Sequence, residues 1–219
     1  MVIKRIRFLF VLILTNSQLQ AQYFPLKKNE SGVFQLGARS TTSLFNDGGT
    51  DNLGLGIGGQ FRLQLAERIN TDWFLDYLRS NIGNVGNRTD YHIGWSVLFY
   101  PFIKKENDFV LNDFVKATLF KPFILVGHCF DYSRFAENKN VNNVKERWSS
   151  AVQAGIGTHL NLNKRLDLTI MTQYMIHLGN HIHASADGNA LQLSNEHGAR
   201  LEGHLLTTIS INYKIADLW

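Results

Sequence analysis

The stretch LEGHLLTTISINYKI, residues 201–215, alternates without a break. Leu201, Gly203, Leu205, Thr207, Ile209, Ile211, Tyr213 and Ile215 fall on one side. Glu202, His204, Leu206, Thr208, Ser210, Asn212 and Lys214 fall on the other. A period of two sustained this long describes an extended strand with one apolar and one polar face. The start of the chain says where such a strand belongs. Lys4, Arg5 and Arg7 precede an apolar run at 8–14, then small and polar residues lead to Ala21. That order reads as an export signal cleaved near Ala21, leaving residues 22–219 as the mature domain.

The run at 8–14 is too short to cross a bilayer, which takes about 20 apolar residues in a helix. No other stretch approaches that length. Only helices and closed barrels satisfy every backbone group in lipid, so a membrane-embedded form of this chain has to be a barrel. Basic and acidic residues number 22 and 18, and three of the basic ones leave with the leader. The near-neutral remainder gives no reason to expect nucleic acid. Cys129 has no partner for an internal disulfide and reads as a small packing residue.

Eight strand candidates can be marked, at 33–42, 53–65, 72–79, 89–99, 122–132, 152–161, 166–177 and 201–215. The second is the clearest: Leu53, Leu55, Ile57, Phe61, Leu63 and Leu65 oppose Gly54, Gly56, Gly58, Gln60, Arg62 and Gln64. The third and fifth are apolar on both sides, which leaves open which face points inward. Odd-numbered connections are long and polar; the second and sixth are short, as expected of a barrel with both termini in the periplasm. The fifth connection is placed at 133–147 and the seventh at 179–199. The fourth, 101–120, breaks the rule. There Phe109, Val110, Phe114, Val115 and Leu119 could line a short helix, and 104–121 is a candidate docking element for an envelope protein partner. Trp73, Trp95, Trp148, Tyr91, Phe99, Phe123 and Tyr213 lie near strand ends or on proposed lipid faces. The expectation is an all-β, closed, antiparallel eight-stranded transmembrane β-barrel in the outer membrane of a Gram-negative bacterium, in contact with its lipid and lipopolysaccharide. The alternative is a soluble barrel with the faces reversed and an apolar ligand pocket inside.

Taken together, the leader ending LQAQ, the segment KPFILVGHCFDY (121–132), the turn LNKRLDLTI (162–170 with Leu160 and Asn161 before it) and the closing ISINYKI resemble the small eight-stranded outer-membrane barrels of the Bacteroidetes type. Such proteins often end on an aromatic residue that closes the last strand, a part for which Trp219 is the candidate.

Eight strands enclose room for little beyond their own side chains. A polar interior without an open pore is therefore expected, built from Arg39, Arg62, Asp76, His92, His159, Asp167, His177, Glu202 and His204, with Gln60, Gln64, Gln153 and Gln173. Buried charges need partners, so Arg39 and Arg62 should meet Asp76, Asp167 or Glu202. Around the seventh connection, His177, His181 and His183 are candidate metal ligands, since imidazole is the commonest one. His183, Ser185 and Glu196 supply the residue types of a lipid A deacylase-like site, in which a serine needs a base within reach. The resemblance to those enzymes is incomplete. Their His-x-Ser-Asn pattern falls on HLGN (177–180), with Gly179 in the nucleophile's place, and His183-Ala184-Ser185 lacks the following Asn. LGLGIGG at 53–59 has its glycines on alternate positions and no helix after it, so it is no phosphate loop. No cofactor is implied. The function expected is structural or interactive, in the cell envelope.

Overall fold

The structure is a computed structural model describing residues 31–45, 53–102, 108–110, 116–118, 120–163, 165–179, 181–188, 190–196 and 202–218. The leader, its cleavage point and Trp219 lie outside these residues. In chain order the strands are β1 (Val33–Phe45), β2 (Leu53–Ala66), β3 (Ile69–Ile82), β4 (Gly86–Phe99), β5 (Asp108–Val110), β6 (Lys116–Thr118), β7 (Phe120–Glu137), β8 (Val144–Asn161), β9 (Leu166–Leu178), β10 (His181–Asp187), β11 (Ala190–Glu196) and β12 (Gly203–Asp217). Eight of them close into a barrel in the order β1-β12-β9-β8-β7-β4-β3-β2, and β5-β6 and β10-β11 form two separate hairpins. Every pairing around the barrel is antiparallel, and β1 bonds to both β2 and β12, so no edge is left.

The alternation read in residues 201–215 is that of β12, with Leu205, Thr207, Ile209, Ile211 and Tyr213 outward and His204, Leu206, Thr208, Ser210 and Asn212 buried. β3 turns Asp72, Phe74, Asp76 and Leu78 inward and Trp73, Leu75 and Tyr77 outward. β7 turns Phe123, Leu125, Cys129 and Asp131 inward and Ile124, Val126 and Phe130 outward. The apolar face is outside on every barrel strand, the opposite of the reversed arrangement. Phe123 is the exception among the aromatics expected near strand ends or lipid: it is buried and stacks on His159 at 4.6 Å. The outer aromatics meet across strands in two series, Phe34–Phe61–Trp73–Trp95 and Tyr77–Tyr91–Tyr132–Trp148.

Four connections differ from expectation, the third being a tight turn at 83–85 between β3 and β4. The fifth is six residues, 138–143, because β7 and β8 each run to 18 residues. At their far ends the outward face becomes polar, with Arg134 opposite Glu146 in register and 3.3 Å away, both exposed. The apolar half of the alternation is lost there, so the sequence looks like loop although the ladder continues. The seventh connection holds the β10-β11 hairpin. The fourth holds β5-β6, paired from Asp108–Thr118 to Val110–Lys116, where a helix was expected. Phe109 and Val110 are aromatic and β-branched, types that favour extended backbone; Phe114, Val115 and Leu119 lie outside the described residues.

The barrel wall tolerates no side chain at some inward positions. A Cβ on Gly58 would stand 2.0 Å from Asp76 Oδ1 and 2.3 Å from the Leu75 carbonyl, while one on the outward Gly59 would meet nothing nearer than 3.9 Å. Gly58→Val is therefore expected to lower the temperature at which the folded form converts to the unfolded one on gels, and Gly59→Ala to leave it unchanged. Equal behaviour of the two would mean the interior is loosely packed at this level.

Candidate functional site

Because inward residues recur every second position, each strand contributes a column of side chains to the interior, and the columns meet in three polar layers. In the layer nearest the termini, Arg62 of β2 donates through Nε and Nη2 to the two oxygens of Asp72 at 2.6 and 2.8 Å. Its Nη1 lies 3.4 Å from Asp167. His159 sits between Thr169 (2.7 Å from Nδ1) and the Tyr100 hydroxyl (2.7 Å from Nε2). Asn212 donates to Asp167 at 2.9 Å. Leu98, Phe123, Leu125 and Met171 pack beside this layer.

In the middle layer Arg39 Nε is 3.0 Å from Asp76 Oδ1, and its guanidinium lies 4.4 Å over the Phe74 ring. Thr41 bonds both Asp76 and Thr208. Phe74, Leu78, Cys129, Ala151, Met175 and Leu206 form an apolar cluster here. Cys129 is fully buried with its sulfur 3.6 Å from Met175, a packing role.

The outer layer is the densest. Glu202 accepts from Arg88 Nη1 at 2.7 Å, from Arg147 Nη1, and lies 2.6 Å from His204 Nε2. Arg88 Nε also reaches both oxygens of Asp90 at 2.9 and 3.0 Å. Asp131 has Arg147 at 3.4 Å, His177 at 3.3 Å and His92 at 3.3 Å around it. The Ser133 hydroxyl lies 2.6 Å from Asp90 and 2.9 Å from Asp131, between which its one proton is shared. The His177 and His204 rings lie 4.5 Å apart, and Ser149 is 2.9 Å from His177 Nδ1.

Above this layer, Val85, Phe135, Ile182, Ala184 and Leu191 form a second apolar cluster. It exists because β10 and β11 are amphipathic: Ile182, Ala184 and Leu191 are buried, while His183 and Ser185 alternate with them on the half-exposed face. The β3-β4 turn makes room for the hairpin. Gly83 takes φ 53° beneath Ala186, and a Cβ on Gly86 would stand 2.8 Å from Leu191 Cδ2. Asn143 ties the hairpin to the β7-β8 turn by donating to the Leu191 carbonyl at 2.8 Å.

All nine residues named for the interior are buried there: Arg39, Arg62, Asp76, His92, His159, Asp167, His177, Glu202 and His204. His177, His181 and His183 do not share one place, since His177 lies in the barrel and the others are on the hairpin. In register His181 faces Glu196, His183 faces Ser194 and Ser185 faces Gln192, so His183, Ser185 and Glu196 occupy one side of the hairpin. Sequence reading missed Asp72, Asp90, Asp131, Arg88, Arg147 and Tyr100. Stepping back by twos from His92 reaches Asp90 and Arg88, and forward from Asp131 reaches Ser133; extending the alternation past the apolar belt was the available signal.

No protein-family model and no curated protein matches the chain. Among solved structures it is similar to Ail, the attachment invasion locus protein of Yersinia pestis (TM-score 0.51, 11% identity, 84% of this chain and 99% of that one). It is also similar to Neisserial surface protein A (0.50, 12%, 83% and 97%) and to a major outer membrane protein from Thermus thermophilus (0.52, 9%, 83% and 99%). The fold is thus that of the eight-stranded outer-membrane barrels.

Buried and exposed ion pairs should differ sharply in worth. Glu202→Gln removes the buried carboxylate shared by Arg88, Arg147 and His204 and is expected to cost roughly 3–5 kcal/mol in denaturant unfolding of the refolded barrel. Glu146→Gln, which removes the exposed partner of Arg134, should cost about 0–1 kcal/mol. Similar losses for both would show that the outer layer is solvated.

Proposed function

We propose that this chain is an outer-membrane barrel of a Gram-negative bacterium with a structural or interaction role in the envelope, its interior plugged. The observation that carries the reading is the inversion of polarity. Ile57, Val126 and Ile156 are 71%, 61% and 65% exposed, while Arg39, Arg62, Asp76, Asp131 and Glu202 are buried. In water this arrangement is backwards; in lipid an apolar belt outside and polar groups inside are what the solvent demands. An 18-residue strand such as β7 or β8, tilted by about 40°, rises roughly 45 Å, more than the ~30 Å hydrocarbon core. Its excess lifts an outer rim clear of the belt.

Support for a plugged interior comes from the three linked layers and from the apolar cluster under the β10-β11 hairpin. Among the described residues, the outer rim offers the 138–143 turn and the half-exposed face of the hairpin with His183 and Ser185 for contact with the surroundings. The lipid-modifying reading also rests on that face.

The test has two parts. Outer-membrane fractions should contain the chain as a band whose gel mobility shifts on boiling, and the purified barrel in planar bilayers should give no single-channel conductance. A soluble periplasmic protein without a shift would overturn the location. Steady ion conductance would overturn the plug.

A further inference from the structure

Within the outer layer, one pair of buried groups faces each other without a hydrogen bond. His92 is fully buried, and neither of its ring nitrogens makes a hydrogen bond. Its Nε2 faces Asp131 Oδ1 at 3.3 Å, and that oxygen has no hydrogen-bond donor either. Two buried groups thus stand close together in a direction that no hydrogen bond uses. Their spacing is that of two ligands on one ion: donors held ~2.0–2.1 Å from a tetrahedral metal are roughly 3.3–3.4 Å apart. A carboxylate oxygen of Asp90 completes a set whose donor atoms all lie within 4.8 Å of one another, on the adjacent strands β4 and β7.

We propose that Asp90, His92 and Asp131 form a binding site for one divalent transition-metal ion of the zinc type, inside the barrel beneath the β10-β11 hairpin. Nitrogen with carboxylate oxygen is a donor set that suits such ions, and His92 and Asp131 are direct register partners across the β4-β7 ladder. The surroundings orient the carboxylates as outer-shell groups do in metal sites, with Asp131 Oδ1 and both His92 nitrogens left without a hydrogen bond and Asp90 shared with Arg88. Ser133 and Arg147 engage the other oxygen of Asp131, Oδ2, at 2.9 and 3.4 Å. Arg88 and Ser133 fix Asp90. Charge also favours a cation. Among the described residues the layer's carboxylates Asp90, Asp131 and Glu202 are three against the two guanidiniums Arg88 and Arg147, a balance that suits a cation. The competing occupant is a proton on His92, which would supply that positive charge without any metal.

The sequence offered His177, His181 and His183 as ligands, which gives the proposal a sharp contrast. Barrel refolded in detergent micelles is stripped with a chelator, given zinc chloride, desalted and assayed for zinc per chain. Folding of each sample is checked by the gel shift on boiling. One zinc per chain is expected in the wild type. His92→Gln, which keeps a polar side chain of similar reach, should weaken binding at least tenfold, and His183→Ala should leave it unchanged. Asp131→Asn is the second test of the same site should His92→Gln not fold. Cobalt(II) substituted for zinc should give the visible d–d absorption of a low-coordinate nitrogen and oxygen site. The proposal is overturned if folded wild type retains no zinc, which would leave the proton as the occupant. It is equally overturned if His92→Gln binds as the wild type does or if His183→Ala removes binding, which would move the metal to the hairpin.

Discussion

The hydrogen-bonded closure of β1 against β12 is the constraint on which the rest of the structure depends. Thirteen register pairs from Val33–Asp217 to Phe45–His204 join the first strand to the last. Once the ladder is closed, no backbone edge remains to be satisfied from outside, and the outer face can be apolar throughout. The same closure fixes the interior. Eight strands leave a space that side chains must fill, so the residues facing it are chosen by volume and partner as well as by polarity. Gly58 shows the volume limit, since Asp76 already occupies the space its side chain would need.

Register is then the property most at risk, because a slip by one residue exchanges the two faces of a strand. The arginine layers oppose that slip. Arg62 reaches Asp72 on the neighbouring strand and Asp167 across the barrel, and Arg39 reaches Asp76 beside it and Thr208 on β12. A displaced β2 or β1 would put these guanidiniums outside and leave the carboxylates buried and alone, an outcome much costlier than the net gain from the pairs when correctly formed. Their role is therefore better described as selecting one register than as adding stability.

Where the strands run through the apolar belt, sequence and structure agree closely, because every second residue had to be apolar. The terminal strand, β2 and β4 are legible for that reason. β3 and β7 were ambiguous because the interior also holds apolar clusters, so Phe74, Leu78, Phe123 and Leu125 face inward and erase the contrast between faces. Above the belt the ambiguity has the opposite cause. Arg134 and Glu146 are polar and outward, Arg147 and Ser133 are polar and inward, and nothing in the residue types marks the ladder. The outer layer was therefore half legible. His92, His177, Glu202 and His204 could be assigned from their strands, but Asp90, Asp131, Arg88 and Arg147 lay where the pattern fails or is doubtful.

The three layers are not equivalent, and the difference follows from what lies at each end. The layer nearest the termini and the middle layer are each centred on one arginine, Arg62 against Asp72 and Asp167 and Arg39 against Asp76, with a single imidazole, His159, in the first. The outer layer gathers three imidazoles, His92, His177 and His204, side chains that bind metals when neutral. It lies beneath a cover that differs from the rest of the barrel: the β10-β11 hairpin is held by an apolar cluster and by side-chain bonds such as Asn143 to Leu191, outside the closed ladder. Because this hairpin lies outside the ladder, the closure of the barrel does not depend on it. The imidazoles are therefore densest in the layer whose cover is held by side chains and not by the wall's backbone ladder.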